Sequence, residues 1–89
     1  MILDDMVKQG EIQTFLDQVS IRLPATTDAG KRQFMQVDFL VITNTSRYVW
    51  LDAKGRTTPK WELQRNLAFQ HHGIDVIPVY KGKPLPNLE

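Results

Sequence analysis

At 89 residues the chain is long enough for one domain with a modest core, and its 42% apolar share argues against wholesale disorder. The absence of cysteine excludes disulfides, thiolate catalysis and cysteine-based zinc sites, and no apolar run approaches the roughly 18 residues of a membrane span. A net charge of +1 makes no demand for a polyanionic partner in bulk; Lys54, Arg56, Lys60 and Arg65 nevertheless fall close together, and Lys81 and Lys83 follow, although a solvated surface is the plainer account of them.

The chain starts Met1-Ile2-Leu3-Asp4-Asp5, with acids where a secretory signal carries bases, so the expected location is the cytoplasm. Residues 2–9 read as the tail of a helix that Gly10 is placed to stop. So short a helix needs tertiary packing or upstream sequence to persist. From Glu11 to Leu23 the pattern turns to strand, through Ile12, Thr14, Val19 and Ile21, and Pro24 ends it. Residues 25–31 form a polar loop or hairpin tip.

Gln33 to Thr43 is a long strand pattern, Asn44-Thr45-Ser46 a turn, and Arg47 to Lys54 a second strand. The chain then loops from Gly55 to Thr58. Thr58 suits an N-cap, Pro59 the first helical position and Glu62 the positive end of the helix dipole. That helix runs to about His72, where Gly73 closes it, and Ile74 to Tyr80 is a short last strand, at an edge because of Pro78. The order predicts an α/β domain with a mixed central sheet and flanking helices. The terminal pair Leu88-Glu89 carries no weight in this reading, since an expression vector also supplies such a pair.

The chemistry concentrates around the hairpin. A turn symmetric about Thr45 pairs position i with position 90 − i, which sets Asp38 opposite Asp52. Facing carboxylates lie close enough to repel, and call for a shared proton or a cation between them. Mg²⁺ suits the second, as a hard ion that takes one or two carboxylates and completes its shell with water and phosphate oxygens. Alternation places Lys54 on the face of Asp52, where it can orient a water or offset developing negative charge, while Val49, Leu51 and Ala53 share the opposite face and are free to pack on a helix. The plain alternative is a solvated Asp pair neutralised by an ordinary cross-strand lysine; a register slip of one residue undoes the geometry altogether.

Asp38, a hydrophobic strand, a turn, and then Trp50-Leu51-Asp52-Ala53-Lys54-Gly55 resemble the signature of the PD-(D/E)XK, or restriction-endonuclease-like, nuclease superfamily: an acid on one strand, acid-x-lysine on the next, then a helix. Lys8-Gln9-Gly10-Glu11-Ile12, Val37-Asp38-Phe39 and Asp52-Ala53-Lys54-Gly55-Arg56-Thr57 resemble in particular small phage-encoded endonucleases, with virus-type replication-repair nucleases and phage Holliday-junction resolvases close in pattern. The resemblance spans roughly residues 7–80, and the order and spacing of its short motifs carry it.

It implies a restriction-endonuclease-like core and metal-dependent hydrolysis of DNA phosphodiesters. Asp38, Asp52 and the Ala53 carbonyl would ligate Mg²⁺ or Mn²⁺, Lys54 would position the attacking water, and Gln64 falls where members carry a polar helper. Members also carry a glutamate on the first helix, upstream of the Gly10-Glu11-Ile12 match. Asp4 and Asp5 are out of register for that role, and Glu11 is structural in the matching block. The acid is therefore dispensable, supplied by a partner subunit, or missing from a weak or inactive enzyme. The short first helix leaves sheet surface uncovered, which favours a homodimer, and two active sites suit a junction resolvase.

Arg56, Thr57 and Lys60 flank the site and are candidates for DNA phosphates, partly through the helix N-terminus. Trp50 and Tyr48 share the Asp52 face and suit either base stacking or packing, and Trp61 is open in the same way. Adjacent His71 and His72 point about 100° apart on a helix, so carbonyl or dipole contacts fit them better than chelation. Two rivals remain at this level: a catalytically degenerate nuclease fold that binds DNA or protein without cutting, and an interaction domain with no nucleic-acid role.

Overall fold

The computed structural model describes residues 2–24, 33–54 and 56–88. The loop expected over 25–31 lies outside them, as does Gly55. In chain order the elements are α1 (Ile2–Lys8), β1 (Ile12–Leu23), β2 (Gln33–Thr43), β3 (Tyr48–Lys54), α2 (Pro59–His72) and β4 (Val76–Tyr80). The four strands form one sheet in the order β1-β2-β3-β4. The first two pairings are antiparallel and β3-β4 is parallel, so the architecture is α/β with a mixed sheet. Pro78 sits on the edge strand β4, where its missing N–H costs no ladder bond on the open side. No helix among the described residues is long and apolar enough to cross a membrane.

The turn between β2 and β3 sets the register. Thr43 N–H donates to the Arg47 carbonyl and Ser46 N–H to the Thr43 carbonyl, with Ser46 in the left-handed region at φ 62°. A three-residue loop ending in a left-handed residue is a common hairpin connection. The ladder it produces, Ile42↔Tyr48, Val41↔Val49, Leu40↔Trp50 and Phe39↔Leu51, follows the expected 90 − i rule. The last strand is shorter than the expected 74–80 because Gly73 caps α2 in the left-handed conformation and Ile74 N–H is still bonded to the Ala68 carbonyl.

β2 changes the face it presents halfway along. Met35 and Val37 join a core with Ile21, Leu23, Trp61, Ala68 and Val76 beneath α2. Phe39 and Val41 have the same parity, yet they pack on the other side with Leu3, Ile12, Val49 and Leu51 beneath α1. The switch falls at Asp38 and opposite it in β1, where Gln18 adopts φ 55° between the pairs Asp17↔Phe39 and Val19↔Val37. A non-glycine residue in that region costs about 1 kcal/mol. In return, the outer half of the β1-β2 arm turns its apolar side onto α2, and His72 at the helix end donates a ring N–H to the Arg22 carbonyl.

α2 has the boundaries its sequence signals set. Thr58 accepts from the Trp61 N–H at 3.2 Å, Pro59 opens the helix, and Gly73 closes it at φ 67°. α1 is a seven-residue helix that inserts Leu3 into the opposite core. That core is completed by Leu88, only 6% exposed, and Arg47 Nη2 bonds the Asn87 carbonyl beside it. The C-terminal segment is thus part of the packing, contrary to the weight given it from sequence.

Candidate metal centre

The site forms where β2 and β3 part. The antiparallel ladder stops at Phe39↔Leu51, one step short of the direct Asp38–Asp52 pair expected from register. Beyond that pair side chains take over the bonding. Asp38 N–H donates to Asp52 Oδ1 at 3.3 Å, and Ala53 N–H donates to Asp38 Oδ2 at 2.8 Å. Each carboxylate therefore satisfies a backbone donor of the other strand, which holds the two acids against one another.

Asp52 is the buried member, 2% exposed. Its Oδ2 accepts from Trp61 Nε1 at 2.7 Å and lies 3.1 Å from Lys54 Nζ. A buried carboxylate is tolerable only with such partners. Trp61 is itself 6% exposed, so its indole both fills the α2 core and presents its one polar atom to Asp52. Lys54 Nζ sits 5.5 Å from the centre of the same ring, and the Arg65 guanidinium 5.7 Å. Arg65 is held in turn by Asp75, at 3.5 Å.

Partial burial pushes the Asp38 carboxyl above its ordinary range, and the neighbouring Asp52 raises it further; the Ala53 N–H and the Lys54 charge pull it back. The crowding is the kind a proton or a cation relieves. The donors present are hard oxygens, which fit Mg²⁺ or Mn²⁺ better than softer metals. N–H and C=O of one strand residue leave on the same side, so the Ala53 carbonyl faces the edge where its N–H meets Asp38. Among the described residues no group of three or more His, Asp or Glu side chains gathers, so any ion here rests on two carboxylates, a carbonyl and outside oxygens.

Asp38, Asp52, Ala53 and Lys54 are thus brought together. Gln64, one turn beyond Trp61, is half-buried and among the described residues makes no hydrogen bond to them. Arg56 and Lys60 are exposed and Thr57 half-buried, at the N-terminal end of α2. Tyr48 is exposed to solvent, whereas Trp50 packs against the α2 core. Ala53 is exposed beside the α1 core instead of buried under a helix. The polar role of Trp61 escaped the sequence; the one signal for it was a tryptophan three residues past an N-cap, close enough to Asp52 to find a partner for its N–H.

Compared with models of known families, with curated proteins and with solved structures, the chain matches none.

Proposed function

We propose that the chain is a metal-dependent DNA endonuclease with a restriction-endonuclease-like core, hydrolysing phosphodiester bonds with Mg²⁺ or Mn²⁺. The observation that carries this reading is the pairing of Asp38 with buried Asp52 at the point where β2 and β3 diverge, with Lys54 Nζ 3.1 Å away. Asp38, Asp52 and the Ala53 carbonyl would hold the ion. Bound there, it would polarise the scissile phosphate and acidify a water for in-line attack.

The chain's own residues supply the rest. Asp52 is fixed by Trp61 and by the Asp38 N–H, so its carboxylate needs no reorganisation on binding. Lys54 is free to exchange its Asp52 contact for a water or a phosphate oxygen, since its side chain is 28% exposed. Arg56, Thr57 and Lys60 would meet neighbouring phosphates beside the N-terminus of α2. A homodimer is the proposed assembly, and branched or junction DNA the proposed substrate; both rest on the sequence resemblance alone.

A second reading has an observation of its own. Both oxygens of Asp52 already have protein partners, and Lys54 stands where a cation is wanted. That favours a degenerate nuclease fold that holds DNA or protein without cutting. The deciding experiment offers linear, single-stranded, flapped and four-way-junction DNA to the purified chain and to Lys54→Ala, with and without Mg²⁺ or Mn²⁺. Metal-dependent cutting that the variant loses supports the nuclease. DNA binding without cutting, in any metal, supports the binding module.

A further inference from the structure

β3 and β4 are parallel and end side by side, at the pair Lys54↔Tyr80. Clefts outside the carboxyl ends of parallel strands are where α/β folds receive ligands. The cleft here is lined by Lys54, Tyr80, Lys81 and Lys83 together with apolar residues that include Ile2, Ala53, Val79 and Leu85. Lys54 borders the groove and its ammonium contacts Asp52. The groove and the metal centre therefore share Lys54 and Ala53.

The turn after β4 fixes the two outer lysines. Lys83 N–H donates to the Tyr80 carbonyl at 3.0 Å, and Gly82 takes φ 79°, a conformation that suits glycine. Both lysines are exposed, and among the described residues neither forms an ion pair. Arg65, by contrast, is paired with Glu62 and Asp75. Among the described residues the positive charge of Lys81 and Lys83 is therefore uncompensated, and it lies in the turn that directly follows the Lys54↔Tyr80 pair. Tyr80, 36% exposed, adds a flat apolar surface between them and Lys54.

We infer that this groove carries the DNA backbone on the β4 side of the scissile phosphate, with Lys81 and Lys83 each contacting a phosphate. This rests on the nuclease reading for the position of the scissile phosphate; the DNA contact itself needs no catalysis. Arg56, Thr57 and Lys60 would then meet phosphates beside the N-terminus of α2, and the β4 turn those along the groove.

The test is binding, measured in EDTA so that nothing is cleaved. Fluorescence anisotropy of a labelled duplex and a labelled single strand is followed across a salt series. The proteins are the full chain, Lys81→Ala/Lys83→Ala, its charge-reversed form Lys81→Glu/Lys83→Glu, and Lys8→Ala on α1 as a matched control. The double alanine variant should lose about tenfold in affinity near physiological salt, and its slope of log affinity against log salt should flatten by about two for duplex. The glutamate form should lose more and Lys8→Ala almost nothing. Wild-type affinity and slope in both double variants, while the parent binds DNA, would overturn the groove and leave the nuclease reading standing. An equal loss in Lys8→Ala would overturn it as bulk charge. A parent chain with no affinity for DNA at low salt would overturn both.

Discussion

The two faces of the sheet are built to different standards. On one face, a fourteen-residue helix with a side-chain cap at one end and a glycine cap at the other lays its own Trp61 and Ala68 over Met35, Val37 and Val76. Beneath α1, a seven-residue helix and the C-terminal segment share the work, and a cavity of about 110 Å³ remains between Leu3, Phe39, Leu51 and Leu85. The buried acid, its tryptophan and its lysine all lie on the first face. A buried carboxylate needs fixed partners and a low-mobility surround, which a capped helix supplies and a marginal one does not.

The contrast is sharpest in stability. Met35→Ala, at a 1% exposed position, should cost about 3 kcal/mol in denaturant unfolding. Leu3→Ala should cost about 1 kcal/mol, because α1 can detach locally and leave the rest folded. Hydrogen exchange should show the same order, with α1 amides exchanging well before those of α2. Equal costs for the two variants would mean that α1 belongs to the cooperative core after all.

A smaller effect separates packing from chemistry on the better-built face. Trp61→Phe keeps a ring in the core and beneath Lys54 but removes the N–H that holds Asp52 Oδ2. It should cost about 2 kcal/mol for the lost buried bond. Metal affinity should fall tenfold or more, as when other supporting partners of ligands are removed. Calorimetric titration with Mn²⁺, in the absence of DNA, reads this directly. Weakened stability with unchanged Mn²⁺ affinity would make the bond structural only.

Local signals made much of this legible. The β2-β3 register follows from a three-residue turn and a two-residue period, both visible in Asn44-Thr45-Ser46 and the alternation around it. Thr58, Pro59 and Gly73 mark the ends of α2 for the same reason: capping is settled within a few residues. What stayed hidden depends on distant partners. The face switch at Asp38 exists because the β1-β2 arm must reach α2, and nothing in Val37-Asp38-Phe39 announces it. The burial of Leu88 depends on a core left open by a short α1, and the Trp61–Asp52 bond on how α2 seats against β3.

Asp38 gives the smallest effect and the most discriminating sign. Its carboxyl titrates above the ordinary range in the folded chain, chiefly through burial and then through Asp52. The folded state therefore holds this proton more tightly than the unfolded state does. Below the unfolded pKa both states carry it and the stabilisation is fully present. It is lost as pH rises through the raised folded value, where the ionised group is penalised. Asp38→Asn cannot ionise, and its amide oxygen can still accept from the Ala53 N–H. The variant should match the parent below the ordinary aspartate value of 3.8 and exceed it near neutral pH, by less than about 1 kcal/mol once solvent screening is counted. Thermal unfolding at the two pH values measures the difference. A variant more stable than the parent, and inactive in the cleavage assay, is what an acid retained for chemistry at a cost to the fold should give. A variant less stable near neutral pH would mean that the ionised carboxylate is a strut between β2 and β3, and the acid pair would lose its claim to a metal.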